Sequence, residues 1–491
     1  MRGFGYTRAL LRSGRPTRRT RPSQEISLAE YFSETAMLFD RIISEGLAHY
    51  SYLAGDKNEA LVIDPRRDVD LYVEKASNAG MRIAHILETH RNEDYFVGSM
   101  ELAERTGAEV WHADSQWDYR YGLPVQSGQK WKVGRLEFEA IPTPGHTPGS
   151  MSYILRDPTG IPFIVFCGDA LFAGEVGRID LMGLENAKEN AGLLYDSLFG
   201  KLLPLGDEVI VCPAHGSGSV CGELISERLW TTIGLERKHN PRLQARGKPE
   251  FVKTLLNSQP ERPPYFRRME KANLVGEPIL GALPDIRPLD PKDFQALLEG
   301  AQILDTCQEL AYSAAHIPGA QSIWLDGLAS FAGWFLGYDQ PILLVGEGND
   351  HENAARILVR LGFDNIAGFL AGGMLNWHMS GRESASIRTL QVFEICRLRD
   401  IGEPSVWILD VRSGSELVKD GRIDGAQHIP LTEIAARMDE VPKNTTVYVF
   451  CGSGMRSMVA ASFLQARGWK EMAVILGGMA GWRSKKCPIK R

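Results

Sequence analysis

The stretch of sequence that decides the fold reads Thr-His-Arg-Asn-Glu-Asp-Tyr at residues 89–95. It follows an apolar run at residues 83–87 that is typical of a buried strand, so His90 and Asp94 are predicted to lie at a strand end. Three further residues of metal-ligand type follow similar runs or lie in glycine- and proline-bounded loops: His146 in TPGHTPGS, Asp169 in FCGDALF and His215 in CPAHG. Such side chains at successive strand ends predict stacked sheets with a metal cleft at one edge.

The segment resembles the T-H-x-H-x-D-H loop of the metallo-β-lactamase fold, in which the full histidine set holds two metal ions. Asn92 and Tyr95 stand at the second and third histidine positions. An amide is a weaker donor than imidazole and a neutral phenol is a poor ligand, so we expect one metal rather than two. We therefore predict the two-histidine, one-carboxylate triad of non-haem Fe(II) oxygenases, formed by His90, His146 and Asp169. The remaining groups are interpreted as a residual second site that orients ligands or water: Asp94, His215, Asn92 and Tyr95.

The overall composition excludes several classes of function. With 491 residues the chain is too long for one core and predicts roughly three domains. A net charge of −6 argues against nucleic-acid binding, and no apolar run approaches the ~18 residues that span a membrane. Seven cysteines, an odd number spread along the chain, predict reduced thiols rather than a disulfide framework.

The first 24 residues contain seven arginines and no acidic residue. This composition resembles a mitochondrial transit peptide. The favoured alternative is a disordered tail or a wrongly assigned start, because Met37 directly precedes the first strand-like segment. Residues 1–36 are therefore set apart, and we expect a cytoplasmic protein, or a mitochondrial one if the arginine-rich segment is a transit peptide.

An internal repeat of about 105 residues follows a proline-rich stretch near residues 260–284. ILDT at 303–306 corresponds to ILDV at 408–411, and the repeated HIPGAQSI and LVRLGF blocks follow in the same order. Because each copy alternates strand and helix patterns, we predict two small doubly wound α/β domains. The predicted domains are 37–275, 284–382 and 388–491.

In the second copy the strand-like VYVF at 447–450 leads into CGSGMRS at 451–457 and then into a helix. A cysteine before a helix N-terminus lies among inward-pointing amide N–H groups, which stabilise a thiolate or a cysteine persulfide. Cys451 and Arg456 are therefore the predicted catalytic residues. The C-x-x-G-x-R loop resembles that of the rhodanese sulfurtransferases, and its six-residue length favours sulfur over phosphate as the transferred group.

The first copy lacks this machinery. The repeat offset places Val345 at the position of Cys451 and Asp350 at that of Arg456. Without nucleophile and cation the first copy is predicted to be inactive, and we interpret it as a structural or docking module. Its Cys307 lies far in sequence from the loop and is interpreted as a packing cysteine.

Residues 37–275 resemble the persulfide dioxygenases of the metallo-β-lactamase superfamily, on the motifs TPGHTPGS, GDAL, GRID, CPAHG and NPRL. This resemblance implies one Fe(II) per chain on the predicted triad, and oxidation of glutathione persulfide or a similar thiol persulfide to sulfite by O₂. It also implies that Arg178 and Arg242 bind a carboxylate-bearing thiol, although Arg178 also suits a structural salt bridge. For Cys221, on a Gly/Ser-rich loop, a structural role and a sulfur relay are equal alternatives.

The combined prediction is a metallo-β-lactamase αββα sandwich followed by two rhodanese-like domains, the first inactive and the second active. Cys451 would exchange sulfur among thiosulfate, sulfite and the persulfide, in a direction that the residues leave open. The alternatives are a dinuclear-zinc thioester hydrolase of glyoxalase II type and a non-catalytic sulfur carrier that uses only Cys451. Resemblance to the family further implies a homo-oligomer, a dimer or a tetramer.

Overall fold

Two six-stranded sheets form the N-terminal part of the protein. The structure is a computed structural model that describes residues 37–157, 159–219, 222, 224–257, 261–276, 278–400 and 406–490. The first sheet contains, in spatial order, Leu38–Ser44 (β1), His49–Asp56 (β2), Glu59–Ile63 (β3), Arg82–Leu87 (β4), Glu109–His112 (β5) and Leu123–Pro124 (β6). The second contains Lys130–Val133 (β7), Leu136–Pro142 (β8), Met151–Arg156 (β9), Pro162–Gly168 (β10), Ile210–Pro213 (β11) and Thr231–Thr232 (β12).

Aromatic side chains pack these two sheets face to face. The ring centroids of Tyr52 and Phe166 lie 5.1 Å apart, and those of Trp111 and Trp131 lie 5.6 Å apart. Helices pack on the outer faces, which gives the predicted αββα sandwich. The helices of this part are Asp70–Asn78 (α1), Ser99–Thr106 (α2), Ala187–Ser197 (α3), Ile233–His239 (α4), Lys248–Leu256 (α5) and Phe266–Val275 (α6).

The predicted ligand residues follow strands that end at one edge of the sandwich. β10 and β11 are parallel, so their carboxyl ends bring Asp169 and His215 together. The amide of Tyr50, in β2, donates to the carbonyl of Ala214 at 2.6 Å and connects the first sheet to the segment after β11. The loop after β4, which carries residues 89–95, therefore faces ligands from the second sheet.

Each C-terminal repeat contains a five-stranded parallel sheet with the same strand order, which confirms the duplicated α/β fold. The first sheet runs through Pro288–Leu289 (β13), Ile366–Leu370 (β17), Ile342–Val345 (β16), Gln302–Asp305 (β14) and Gln321–Ser322 (β15). The second runs through Arg388–Gln391 (β18), Met472–Leu476 (β23), Val447–Phe450 (β22), Trp407–Asp410 (β19) and Gln427–His428 (β21). A separate two-stranded sheet pairs Arg422–Ile423 (β20) with Ile489–Lys490 (β24).

Short helices connect these strands. None of the helices in the described ranges is both long and apolar enough to cross a membrane. The helices of the repeats are Pro291–Ala296 (α7), Glu309–Ala314 (α8), Leu328–Phe335 (α9), Asp350–Arg360 (α10), Gly373–Met379 (α11), Val392–Asp400 (α12), Gly414–Asp420 (α13), Ile434–Arg437 (α14), Met455–Gln465 (α15) and Gly478–Ser484 (α16).

The repeats contact each other through α15. The side-chain amide of Gln321, in β15, donates to Ser462 Oγ at 2.8 Å and to the carbonyl of Val459 at 3.1 Å. From Leu38 onward the chain forms one compact unit. One hydrophobic cluster runs through both repeats and includes Tyr95 and Phe96 of the N-terminal sandwich. The domains therefore share buried surface.

One disulfide departs from the sequence analysis. Cys396 in α12 is bonded to Cys487, with the Cα atoms 6.2 Å apart. The expectation that all thiols are reduced is therefore wrong for this pair. The two cysteines are 91 residues apart in sequence, and only the packing of α12 beside the C-terminal segment brings them together.

Candidate metal centre and sulfur-transfer loop

Four buried side chains converge at the edge of the sandwich. Asp169 Oδ2 lies 4.0 Å from His90 Nε2 and 3.4 Å from His146 Nε2. Glu93 approaches the same imidazoles, with Oε1 3.2 Å from His146 Nε2 and Oε2 3.8 Å from His90 Nε2. The ligand atoms of His90, Glu93 and His146 all lie within 4.8 Å of one another, so one ion can reach all three.

The hydrogen bonding of these groups fits a metal. Within the described part of the chain, His90 Nε2, His146 Nε2 and Asp169 Oδ2 make no hydrogen bond of regular geometry and have only the contacts of 3.2–4.0 Å among the four groups. Burial of such atoms is costly unless something satisfies them. His146 Nδ1 donates to the carbonyl of Arg178 at 3.0 Å, and His90 Nδ1 lies 2.9 Å from Thr89 Oγ1. Metal-bound histidines are typically held in this way through the second ring nitrogen.

The charges of the centre also fit a cation. Burial lowers the pKa of His146, but the Glu93 and Asp169 carboxylates outweigh burial and raise it to about 9. Burial likewise raises the pKa of Glu93, but His146 and His90 outweigh it and bring it down to about 2. Burial also raises the pKa of Asp169, but His215 and His146 outweigh it and lower the pKa below its usual value. Both carboxylates are therefore ionised at neutral pH, and a bound metal ion would compensate their charge in place of protons.

Glu93 is a site residue that the sequence analysis missed. It stands at a variable position of the predicted motif, between Asn92 and Asp94, and is fully buried. In a run that reads Arg-Asn-Glu-Asp, nothing distinguishes a glutamate that points inward from one that points to solvent. The structure consequently offers two carboxylates, Glu93 and Asp169, for the carboxylate position of the triad.

The predicted residual second site lies directly beside this centre. His215 Nδ1 is 2.8 Å from Asp169 Oδ1, and its Nε2 is 2.9 Å from Asp94 Oδ2. Burial, reinforced by nearby carboxylates that include Asp94, raises the pKa of Tyr95 well above its usual value, so the phenol is neutral. The Asn92 side-chain amide donates to the carbonyl of His90 at 3.4 Å. Amide and phenol thus lie where the full motif would carry imidazoles.

A second residue that the sequence analysis missed is His49, in β2. Its ring centroid lies 3.9 Å from that of Tyr95 and 5.8 Å from that of His215. Nδ1 is 3.0 Å from Ser44 Oγ, whereas Nε2 has no hydrogen-bond partner among the described residues. His49 lies outside every recognised motif, so no sequence pattern indicates a role for this position.

Asn273 in α6 holds the main chain of the candidate metal-binding loop, residues 89–98. The side-chain amide of Asn273 donates to the carbonyls of Asn92 at 2.7 Å and Tyr95 at 2.8 Å. Its side-chain oxygen accepts a hydrogen bond from the amide of Val97 at 3.0 Å. One buried asparagine therefore fixes the path of the backbone on both sides of Glu93 and Asp94.

The two predicted substrate-binding arginines are both engaged in bidentate salt bridges. Arg178 donates to Asp180 with two distances of 2.7 Å, and Arg242 donates to Glu175 at 2.6 and 2.9 Å. The main-chain carbonyl of Arg178 also accepts a hydrogen bond from the imidazole of His146 and so orients that ring. Substrate binding by these guanidinium groups remains a prediction. Cys221, the predicted relay residue, lies outside the described residues.

The predicted sulfur-transfer loop of the second repeat, residues 451–456, follows β22. Cys451 is fully buried, and the amide of Gly454 donates to its Sγ at 3.1 Å. Arg456, in the first turn of α15, donates to both carboxylate oxygens of Glu416 at 2.7 Å. Burial raises the pKa of Glu416, but the hydrogen bonds from Arg456 outweigh it and bring it to about 2. The loop therefore surrounds a buried thiol with an amide donor and a fixed ion pair.

The strand register corrects the predicted correspondence between the two repeats by one residue. The last residue of β14 pairs with Val345, and the last residue of β19 pairs with Phe450. Val345 therefore corresponds to Phe450, and it is Gly346 that takes the position of Cys451. The repeats differ in length by one residue between their matching blocks, so a constant offset misplaces the loop.

The same correction applies to the cation. α10 begins at Asp350 and α15 at Met455, so His351, and not Asp350, takes the position of Arg456. The ring of His351 stacks on Phe369 with centroids 3.7 Å apart. The prediction that the first repeat lacks the cysteine and the arginine of the loop holds in the corrected register.

The two repeats also differ in the residue that contacts a buried aspartate. In the second repeat, Arg412 donates to Asp410 at 2.9 and 2.6 Å. The corresponding pair in the first repeat is Asp305 and Cys307, and a cysteine supplies no positive charge. Burial raises the pKa of Asp305 to about 6. Burial, followed by the Asp305 carboxylate, raises the pKa of the Cys307 thiol, as expected for an unreactive cysteine.

This difference predicts that two matched substitutions change the stability of the protein in opposite directions at pH 8. Because the pKa of Asp305 is higher in the folded chain, its contribution to stability is complete below pH ~4 and is lost as the pH rises through about 6. Asp305→Asn is therefore expected to raise the free energy of unfolding at pH 8 by on the order of 2 kcal/mol, and to change it little at pH 4. Denaturant unfolding at both pH values measures this.

The matched control is Asp410→Asn, which leaves the buried Arg412 guanidinium without its counter-charge. This variant is expected to destabilise the protein at pH 8. A decrease in stability at pH 8 for Asp305→Asn as well would contradict the assigned ionisation.

Comparison with known proteins agrees with this architecture. The metallo-beta-lactamase superfamily matches residues 45–215, and the rhodanese-like domain matches residues 290–380 and 397–485. A metallo-beta-lactamase structure from Staphylococcus aureus covers 68% of this chain and 98% of its own, with 29% identity and a TM-score of 0.61. The chain thus consists of a metallo-β-lactamase domain followed by two rhodanese-like domains.

Two groups of relatives share the first domain. Human mitochondrial persulfide dioxygenase ETHE1 is 29% identical over 232 residues, which span 46% of this chain and 83% of that protein. Hydroxyacylglutathione hydrolase GloC from Haemophilus influenzae is 28% identical over 217 residues, which span 40% of this chain and 92% of that protein. The metallo-β-lactamase domain is therefore homologous to ETHE1 persulfide dioxygenase, and it is also related to hydroxyacylglutathione hydrolases.

Proposed function

We propose that the N-terminal domain is an iron-dependent persulfide dioxygenase and that the second rhodanese domain transfers sulfur through Cys451. The observation that carries the proposal is the compact centre in which Asp169 Oδ2 lies within 4.0 Å of both His90 Nε2 and His146 Nε2. Two histidines and one carboxylate bind Fe(II) and leave coordination positions open. The relationship to ETHE1 supports the same assignment.

The overall reaction balances as follows. One thiol persulfide anion, such as that of glutathione, reacts with one O₂ and one water to give one thiol, one sulfite and one proton. The sulfane sulfur is oxidised and O₂ is reduced, and bound iron would supply this redox chemistry. The chain's own contribution is to orient the imidazoles, through the Arg178 carbonyl and Thr89, and to hold Asp169 through His215.

In the rhodanese reaction the Cys451 thiolate attacks the sulfane sulfur of thiosulfate. A sulfur–sulfur bond forms at Cys451 while the sulfur–sulfur bond of thiosulfate breaks, and sulfite leaves with the electron pair. Attack by a thiol on the Cys451 persulfide then returns the thiolate and yields a thiol persulfide for the metal centre. The amide of Gly454, which donates to Sγ, supports the anionic forms of this cysteine. The reverse direction would convert sulfite to thiosulfate.

A second candidate function is a two-metal thioester hydrolase. It is favoured by the relationship to hydroxyacylglutathione hydrolase and by His49, an additional imidazole whose ring centroid lies 5.8 Å from that of His215. Against it, the neutral Tyr95 phenol occupies a histidine position, and the ring of His49 packs on that phenol.

Metal content combined with O₂ uptake separates these functions. The proposal predicts about one iron per chain in protein purified without oxygen, and O₂ uptake on addition of glutathione persulfide. Two zinc ions per chain with cleavage of a glutathione thioester and no O₂ uptake would establish the hydrolase instead. Sulfur transfer from thiosulfate without any bound metal would leave only the carrier function of Cys451.

A further inference from the structure

We propose that the inactive rhodanese repeat positions the metal-binding loop, residues 89–98, through a clamp formed by residues 359–364. This gives a role to a repeat that lacks the catalytic cysteine and arginine. The proposal rests on the metal centre of the proposed function, but it does not depend on which reaction the metal performs.

The main chain and a close packing contact join the clamp to the loop. The amide of Phe96 donates to the carbonyl of Arg360, the last residue of α10, at 2.8 Å. The Phe96 ring lies directly against Gly362, where a Cβ atom would come within 2.2 Å of Phe96 Cε2. Phe96 is only 1% exposed and belongs to the hydrophobic cluster of the repeats. The loop and the clamp therefore fit together without space for an additional methyl group.

Two arginine–carboxylate pairs beside this contact also join the domains. In one pair the arginine belongs to the clamp, and in the other it belongs to the sandwich. Arg360 of the clamp donates to both oxygens of Asp68 at 2.8 Å. Arg67 of the sandwich donates to the two oxygens of Asp364 at 2.6 and 2.9 Å. Bidentate pairs of this kind fix orientation as well as distance. Since Asp68 and Arg360 are buried, removal of either partner would leave an uncompensated charge.

From Phe96 the contacts continue through Tyr95 and Asp94 to His215, which contacts the predicted ligand Asp169. Tyr95 packs its ring on His49, and Asp94 lies 2.9 Å from His215 Nε2. The other nitrogen of His215 lies 2.8 Å from Asp169 Oδ1. A displacement of Phe96 would therefore move Asp94 and the histidine that orients Asp169, while the sulfur-transfer loop belongs to a different repeat.

The second repeat provides a matched comparison at the same turn. Gly362 and Gly468 both follow the long helix of their repeat and both have positive φ, +76° and +98°. The next residue in each repeat returns a hydrogen bond to the helix, from Phe363 to Leu358 and from Trp469 to Leu464. Among the described residues, and apart from its two chain neighbours, no atom lies within 4 Å of the Cβ position at Gly468. The two glycines therefore differ in whether another residue packs against them.

Gly362→Ala and Gly468→Ala separate clamping from backbone strain, because both introduce alanine in the left-handed region. The measurement is the rate at which each protein releases Fe(II) to a chelator in the absence of oxygen. The release rate of Zn(II) is measured in parallel. Gly362→Ala is expected to release both ions roughly ten times faster than wild type, and Gly468→Ala to resemble wild type. Sulfur transfer by Cys451 in Gly362→Ala is expected to stay at the wild-type level, which reports that the rhodanese part is folded.

A second variant covers the case in which Gly362→Ala fails to fold. Asp364→Asn removes the counter-charge of Arg67 at a position that is 36% exposed, and it is expected to accelerate metal release several-fold with sulfur transfer unchanged. Equal metal release from wild type and all three variants would overturn the proposal. A protein that takes up no O₂ but releases zinc faster in Gly362→Ala would refute the dioxygenase assignment and retain the clamp.

Discussion

Replacement of Asp169 by asparagine is expected to abolish metal retention and persulfide-dependent O₂ uptake. Asparagine keeps the shape of the side chain but removes the negative charge that faces His90 and His146 at 4.0 and 3.4 Å. It also alters the contact with His215 Nδ1 at 2.8 Å. Since Asp169 is a predicted ligand and also holds a neighbouring histidine, we expect O₂ uptake to fall by roughly 100-fold or more. Metal analysis and O₂-electrode measurements test this.

Glu93→Gln is the matched variant that decides which carboxylate completes the triad. If Asp169 is the ligand, Glu93→Gln retains the metal and loses activity to a smaller extent. The reverse ranking would assign the ligand to Glu93. Sulfur transfer from thiosulfate should be unchanged in both variants, and full O₂ uptake in Asp169→Asn would contradict the assigned metal centre.

Replacement of Cys451 by serine is expected to remove sulfur transfer from thiosulfate and to leave O₂ uptake with added glutathione persulfide unchanged. A hydroxyl is far less nucleophilic than a thiolate, so the Gly454 amide alone cannot support the reaction. The two reactions would then belong to separate sites on one chain. Steady-state sulfur transfer, with sulfite as the measured product, gives the comparison.

Cys307→Ser is the control, because burial and Asp305 raise the pKa of that thiol. It is expected to transfer sulfur like wild type. O₂ uptake driven by thiosulfate and a thiol, present in wild type and lost in Cys451→Ser, would establish flow from the rhodanese domain to the metal centre. Sulfur transfer that survives in Cys451→Ser would contradict the assignment of the nucleophile.

The sequence sufficed for the fold class and for the residues carried by motifs, since each of these depends on local patterns. Apolar runs that end at residues of metal-ligand type located β4, β10 and β11, and the repeat revealed the two C-terminal domains. The motif histidines and Asp169 do meet in space. Asp169 and His215 follow the parallel strands β10 and β11, and His146 comes from the loop between the antiparallel strands β8 and β9.

The remainder depends on the path of the chain in three dimensions. Glu93 is oriented inward by a loop conformation, and His49 reaches the centre from another strand. The correspondence of Gly346 with Cys451 became clear only from the strand register. The bond between Cys396 and Cys487 arises from packing between segments far apart in sequence.

The hydrogen bonds of Asn273 separate the shape of the metal loop from its chemistry. Within the described chain its three side-chain hydrogen bonds all go to main-chain atoms, the carbonyls of Asn92 and Tyr95 and the amide of Val97. Every residue other than proline offers the same atoms, so a different side chain at position 92 or 95 leaves these bonds available. Asn273, which lies outside the loop, therefore determines the course of its backbone. Point substitutions within the loop can then change the number of metal ions that it holds without changing that course.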